Sequence, residues 1–101
     1  MGMSKVASRV TDVQYVADND TLTVASGAPV TVYCVELAAA VANATIFTIY
    51  QGDGSTVVGK VHLAANTSIA WGCPHKADVG IAVASNKADA SCTIFHDSPG
   101  N

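Results

Sequence analysis

The sequence predicts an all-β fold, a single-domain antiparallel β-sandwich of jelly-roll or Greek-key type with about eight short strands. Short runs rich in Val, Ile, Thr, Ala and aromatic residues recur along the chain, and each ends at Gly, Asn, Asp or Pro. This pattern is typical of strands separated by tight turns. Half of the residues are hydrophobic and 13% are charged, so we expect both sheets to be well covered. The clearest runs are residues 30–37, 44–50 and 79–84.

The N-terminal half divides into an arm and four predicted strands. Residues 1–12 mix charged and small side chains without a firm period, so we expect an N-terminal arm, followed by a β-sandwich domain at residues 13–97 and a C-terminal tail at residues 98–101. Pro29 prevents the third strand from beginning earlier. The alanine-rich stretch 38–43 is too short to nucleate a helix and is predicted to be a turn. The four strands are residues 13–17, 21–25, 30–37 and 44–50.

The strongest turn signal is Gln-Gly-Asp-Gly-Ser at residues 51–55, because glycines on both sides of an aspartate allow positive φ at little steric cost. It predicts a hairpin between the fourth strand and a fifth, in which Gly59 marks a bulge. The fifth to eighth strands are predicted at residues 57–63, 67–71, 79–84 and 90–96. A spacing of about ten residues between strands is typical of sandwiches and jelly rolls.

Length and charge limit the classes of function. A chain of 101 residues holds one domain with one core. The formal net charge is −3 and the five basic residues are scattered, so there is no basic stripe and we expect no nucleic-acid partner. The N-terminus lacks the apolar core of a secretory signal, and no apolar run reaches the roughly 20 residues of a membrane span. We therefore expect a protein made soluble in a cytoplasm, with no membrane partner.

The cysteines predict a reduced protein. Cys34, Cys73 and Cys92 are odd in number and widely spaced, which suits free thiols in a reducing compartment better than a disulfide framework. Cys34 and Cys92 each fall within a predicted strand, where a thiol behaves as a small apolar group. A bridge between these two strands is left open, since the sequence does not give their separation.

One cluster of reactive residues stands out, at Cys73, His75 and Asp78. A thiol, an imidazole and a carboxylate within six positions suggest a zinc site or a thiolate pair. However, no second pair of ligands follows at metal spacing, since His62 and His96 are single residues in separate strands. A structured turn is the favoured interpretation. We expect no enzyme, no catalytic residue, no metal and no cofactor.

Two parts of the chain are predicted to contact partners. The arm carries Lys5 and Arg9 beside Val6 and Val10, and twelve extended residues span up to about 40 Å, enough to reach a neighbouring subunit. In such a contact the charges set orientation and the valines supply burial. Trp71 is the single tryptophan and is more often a core or interface residue than a sugar-stacking platform.

The order of strands and turns resembles that of small tailed-phage virion proteins, most of all head decoration (cement) proteins. The segments that carry the resemblance are YCVEL at 33–37, ATIFTIYQGDG at 44–54, VHLAANTSI at 61–69 and VGIAV at 79–83. The resemblance implies a non-enzymatic β-sandwich that binds the outside of a capsid, commonly as a homotrimer, and reinforces contacts between major capsid proteins. It also implies a location on the virion exterior, and no catalytic residues to carry over.

An alternative function from another class is a receptor- or carbohydrate-binding sandwich of a phage tail or fibre. In that case Trp71, Tyr33 or Tyr50 would form an exposed platform. Exposure separates the two functions: aromatic side chains that line a groove favour ligand binding, and a flat apolar patch favours a protein lattice.

Overall fold

The computed structural model describes residues 9–16, 21–72 and 75–97, and for residues 9–16 and His75 it describes the backbone alone. Within these residues all regular structure is β-strand, in nine segments. They are β1 (Arg9–Val16), β2 (Thr21–Val24), β3 (Val30–Ala38), β4 (Thr45–Gln51), β5 (Val57–Leu63), β6 (Ser68–Trp71), β7 (His75–Ala77), β8 (Ile81–Ser85) and β9 (Ala90–Asp97).

The strands form two antiparallel sheets with nested pairing. The order is β1-β9-β3-β6 in the first sheet, where β7 also pairs with β3, and β2-β8-β4-β5 in the second. Thus β4 pairs with β5, β3 with β6 and β7, β2 with β8, and β1 with β9. The nested pairs form one long antiparallel hairpin, which is rolled up so that its strands lie in two layers. This is the jelly-roll arrangement, and it confirms the predicted fold class.

β6 and β7 share one place at the edge of the first sheet. β6 is in register with residues 35–38 of β3, and β7 with residues 30–32. The nine segments therefore fill the eight strand positions of a jelly roll. β6 agrees with the predicted strand at 67–71, but β7 was not predicted, because three residues after a proline give too short a pattern to recognise.

β1 begins at Arg9, earlier than the predicted start at Val13. Residues 9–12, assigned to the arm from the sequence, are in register with residues 94–97 of β9 and so lie in the first sheet. The sequence did not indicate this strand start because its partner lies at the other end of the chain. Residues 1–8 of the predicted arm and the predicted tail at 98–101 lie outside the described residues.

The core lies between the sheets and follows from strict alternation along the strands. In β4, Thr45, Phe47 and Ile49 are buried, whereas the intervening residues are half-exposed, as the sequence predicts. Burying one Val, Leu, Ile or Phe side chain contributes about 1.5–3 kcal/mol. The largest fully buried hydrophobic side chains come from both sheets: Phe47, Leu37, Ile49, Ile94, Val32, Val35, Val83 and Cys92.

Thr45 is a polar residue in this core, and its hydroxyl fastens the loop between β3 and β4. The hydroxyl oxygen accepts the N–H of Ala40 at 3.0 Å and donates to the carbonyl of Asn43 at 3.2 Å. In the described part of the chain, every buried side-chain nitrogen or oxygen has a hydrogen-bond partner. Burial of this threonine is therefore compatible with a stable core.

At the opposite end of the sandwich, three loops pack against one another through glycine backbones. Gly80 has φ of +90°, and a Cβ built on it would lie 2.1 Å from the carbonyl oxygen of Ala25. A Cβ on Gly52 would lie 2.0 Å from the carbonyl oxygen of Val79. The hydroxyl of Ser26 donates to the carbonyl of Gly52 at 3.0 Å. The three loops therefore approach too closely for any side chain at these two glycines.

Asp53 holds the predicted hairpin turn between β4 and β5. Its Oδ1 accepts the N–H groups of Ser55 at 2.8 Å and Thr56 at 2.9 Å, and its Oδ2 accepts the Thr56 hydroxyl at 2.5 Å. These bonds, with the Thr56 hydroxyl contributing most, lower the pKa of Asp53 from 3.8 to about 2. The N–H of Gly54 donates to the carbonyl of Gln51 at 2.9 Å, which completes the turn.

Gly80→Ala is expected to destabilise the protein far more than Gly54→Ala. Both glycines have positive φ, but a Cβ on Gly54 meets nothing within 4 Å. We expect about 1–2 kcal/mol from backbone strain alone at Gly54, and about 3 kcal/mol or more at Gly80, where the clash adds to the strain. Urea unfolding measures the free energy of unfolding of each variant. Equal losses of stability in Gly80→Ala and Gly54→Ala would contradict the close packing of the three loops.

Removal of the Thr56 hydroxyl is expected to raise the pKa of Asp53 toward its ordinary value. Because the folded pKa is lowered, this carboxylate contributes stability above about pH 4, and the contribution is lost as pH falls through about 2. In Thr56→Val the contribution should be smaller, and its loss should be complete at a higher pH. NMR titration of Asp53 gives the pKa, and Ser55→Ala, which keeps the Ser55 N–H, is the control with a smaller rise. A wild-type pKa near 3.8 would exclude this network.

Candidate partner-binding surface

Trp71 lies where the edges of the two sheets meet. It is opposite Val35 in the pairing of β6 with β3, and Val35 is fully buried. Directly opposite residues of an antiparallel pair share a face, so Trp71 is on the inner face of the first sheet. A Cβ built on Gly59 of β5 would lie 3.8 Å from Trp71 Cζ2. The half-buried indole thus bridges the gap between edge strands β6 and β5.

Gly59 allows this approach, and it also belongs to the predicted bulge. Ile49 of β4 lies opposite Gly59 of β5, but the next residue, Tyr50, lies opposite Val57, so the register shifts by one residue at this point. Val58 is the extra residue, and a bulge of this kind bends the strand and re-aims its side chains. It leaves Val57 and Val58 about half-exposed, at 52% and 56%.

A cleft of about 250 Å³ opens beside Trp71, where β4 ends and β8 begins. Its floor is apolar, since Ile49 and Ile81 are buried. The residues around it combine aromatic, apolar and charged side chains: Tyr50, Val58, Trp71, Lys76, Asp78 and Val79. Lys76 and Asp78 are both exposed, so the cleft has an apolar floor and a charged rim.

The exposed apolar side chains are concentrated on this side of the sandwich. Ile69, on β6 two residues before Trp71, is 41% exposed, and Val79, in the turn after β7, is 40% exposed. We call the surface formed by Val57, Val58, Ile69, Trp71 and Val79 the β5–β6 side. Of the described large hydrophobic residues that are exposed, Val41 alone lies elsewhere, in the loop between β3 and β4. Grouped apolar exposure of this kind marks an interaction surface.

The strands of the β5–β6 side also lie at the edges of the described sheets. Within the described pairing β5 bonds to β4 and not to another strand, and β6 and β7 bond only to β3. Edge strands present free N–H and C=O groups to solvent. The surface therefore combines apolar side chains with backbone groups that a partner could satisfy.

The partner-binding residues predicted from the sequence are not all brought together. Lys5 and Val6 lie outside the described residues. The backbones of Arg9 and Val10 lie in β1, opposite Asp97 and His96 of β9. In the sheet order, β9 and β3 separate β1 from β6, a distance of about 14 Å at the usual strand spacing. Residues 9–10 and Trp71 are thus on opposite edges of the first sheet.

The three aromatic residues that the sequence offers as alternatives for a platform do not all lie together. Trp71 and Tyr50 line the same cleft, and Tyr33 is not among its lining residues. The Tyr33 hydroxyl donates to Asp97 Oδ2 at 2.8 Å, which ties β3 to the end of β9. Tyr33 therefore has a structural contact on a different part of the first sheet.

Sequence reasoning did not assign the valines and the isoleucine of the β5–β6 side to a partner contact. One signal was present: two adjacent valines at residues 57–58 interrupt the alternation expected of a half-buried strand, directly before Gly59. Ile69 gave no signal, because it follows the alternation that places it inside. Its exposure arises because β6 is an edge strand, and the order of strands in a sheet is not visible in the sequence.

The cysteines and histidines do not form a reactive cluster in the part of the chain that the structure describes. Cys34 and Cys92 are free thiols, as predicted, and burial raises the pKa of the Cys92 thiol to about 11. His62 is exposed on β5, whereas His96 is buried on β9 of the other sheet. Cys73 lies outside the described residues. Among the described residues no group of three or more His, Cys, Asp or Glu could hold a metal ion.

Comparisons with known proteins support the fold. No protein-family model matches the chain, and no curated protein matches it. One similar solved structure is described as Bacillus endospore appendages that form a novel family of disulfide-linked pili. The two chains are 12% identical, the match covers 90% of this chain and 88% of that chain, and the TM-score is 0.52. At this identity the likeness shows a shared β-sandwich fold. Among the described residues no apolar helix reaches membrane-spanning length.

Proposed function

We propose that this chain is a non-enzymatic structural protein that packs its β-sandwich against other protein subunits, including copies of itself. The observation that carries the proposal is the β5–β6 side, where apolar side chains are exposed beside the edge strands β5 and β6 of the two described sheets. The overall composition agrees, because a chain with 13% charged residues keeps little charge on its surface to oppose association.

The size of the apolar surface indicates how such a protein would act. Full burial of a Val or Ile side chain contributes about 1.5–3 kcal/mol, so covering four half-exposed ones contributes roughly 3–6 kcal/mol. Association itself costs about 4–15 kcal/mol. A single contact through this surface is therefore weak. Firm attachment requires several contacts at once, as on a lattice or in a closed oligomer.

The specific role that we propose is capsid decoration. The partner would be the major capsid protein of a tailed phage, bound on the exterior of the virion after synthesis in the host cytoplasm. The protein would attach as a homo-oligomer, a trimer being the state implied by the resemblance to cement proteins, and would need neither nucleic acid nor membrane. The jelly-roll fold supports this role, since viral capsid domains use the same architecture. The pilus-forming neighbour supports a structural role in a different kind of assembly.

A second candidate function, carbohydrate or receptor binding, is favoured by the cleft that Trp71 and Tyr50 line. Its volume of about 250 Å³ is below the roughly 300–1,000 Å³ of drug-sized pockets, so it would hold one ring rather than an extended ligand. Because Trp71 is the single tryptophan, its fluorescence reports directly on the cleft. Saturable quenching by a saccharide would favour this function over a lattice role.

Charging the β5–β6 side is expected to abolish attachment without unfolding the protein. Val58→Lys with Ile69→Lys places two charges among apolar side chains that a partner must cover, whereas both positions are exposed in the free chain. The control is Val41→Lys, since Val41 is 74% exposed but lies in the loop between β3 and β4 and does not line the cleft. Co-sedimentation with heads assembled from the major capsid protein measures attachment. Wild-type binding by the double variant, or no binding by the wild type, would contradict the proposal.

Two truncations distinguish the contribution of residues 1–8 from that of β1. Deleting residues 1–8 leaves β1 intact, and we expect a folded protein with weakened attachment if Lys5 and Val6 contact a neighbour. Deleting residues 1–12 removes half of the register with β9, and we expect lower stability as well. Urea unfolding and co-sedimentation distinguish the two effects. If the protein without residues 1–8 attaches as well as the full chain does, the arm makes no contact.

A further inference from the structure

We propose that two copies of this chain associate through the β5–β6 side about a two-fold axis, an inference that rests on the proposed assembly function. A two-fold contact uses the same surface of both copies, so that surface must be complementary to itself. The apolar part meets this condition directly. Val58 and Val79 stand on the rim of the cleft, and in a two-fold contact the rim valines of each copy cover the cleft of the other.

The charges on the rim point to a second copy rather than to another occupant. Lys76 and Asp78 have opposite charge, are separated by one residue, and are both exposed beside the same cleft. In a two-fold contact, if Lys76 of one copy lies opposite Asp78 of the other, the reciprocal pair forms automatically. The rim is therefore charge-complementary to itself, whereas a uniformly acidic or basic partner would be attracted by one residue and repelled by the other.

The two parts of the surface have separate roles. The apolar side chains supply affinity, since they lose contact with water when the second copy covers them. The rim pairs remain near solvent, so they select the partner and its orientation more than they add affinity. A dimer of this kind hides the exposed edges of β5 and β6, which otherwise offer a template for uncontrolled pairing.

A charge exchange tests the two-fold contact on the full chain. Sedimentation equilibrium of the wild type should show a monomer–dimer equilibrium, with a blue shift of the single tryptophan's emission as the dimer forms. Lys76→Glu alone and Asp78→Lys alone should each weaken the dimer at least tenfold, because each places like charges opposite one another. An equimolar mixture of the two variants should dimerise again, since a wholly acidic rim then meets a wholly basic one. The double variant should also dimerise.

The control variant is Lys87→Glu, which makes the same change of charge in the loop between β8 and β9, at the other end of the sandwich. It should dimerise as the wild type does. Unchanged association of both single variants, failure of their mixture to associate, or a trimer would overturn the two-fold contact. A trimer would agree with the oligomeric state proposed for capsid decoration, and the proposed function fails separately if the wild type binds no capsid. A wild type that stays monomeric yet binds capsids overturns only the present inference.

Discussion

The first sheet depends on the pairing of β3 with β9. β9 holds β1 on its other edge, and β3 holds β6 and β7, so each strand of this sheet bonds to one of the two. Their contact places Val35 opposite Ile94 and Leu37 opposite Cys92, and all four side chains are buried against the second sheet. Because β3 and β9 lie far apart in the sequence, their pairing requires closure of a long loop, and the entropy cost of closure comes before the stabilising contacts form. Such folds form slowly.

Local chemistry made much of this fold predictable. The alternation in β4, the turn around Asp53 and the bulge at Gly59 each depend on a few adjacent residues, and the structure contains all three. The start of β1 and the existence of β7 were missed for the opposite reason. Each is a strand because of a distant partner, β9 for one and β3 for the other. Pairing across the chain leaves no local pattern in either segment.

The same distinction applies to the candidate surface. Trp71 was recognisable as the single tryptophan in an apolar strand, but its neighbours were not recognisable as a group. Val58 precedes Trp71 in the chain and Val79 follows it, and they meet at one cleft because β5 and β6 are both edge strands on the same side of the sandwich. A surface assembled by strand order is invisible until the order is known. Arg9 and Val10 were chosen on composition alone, and only their position in β1 could place them at the far edge.

The register of β1 with β9 has a mechanical consequence. Arg9 is opposite Asp97, so the chain enters β1 and leaves β9 at the same end of the sandwich. Hydrogen bonds between antiparallel strands lie across the strand direction. Tension applied through these two points would therefore open the bonds one at a time, like a zipper, instead of loading them together in shear. Two cargo domains fused at these two points would both emerge from the same end of the sandwich.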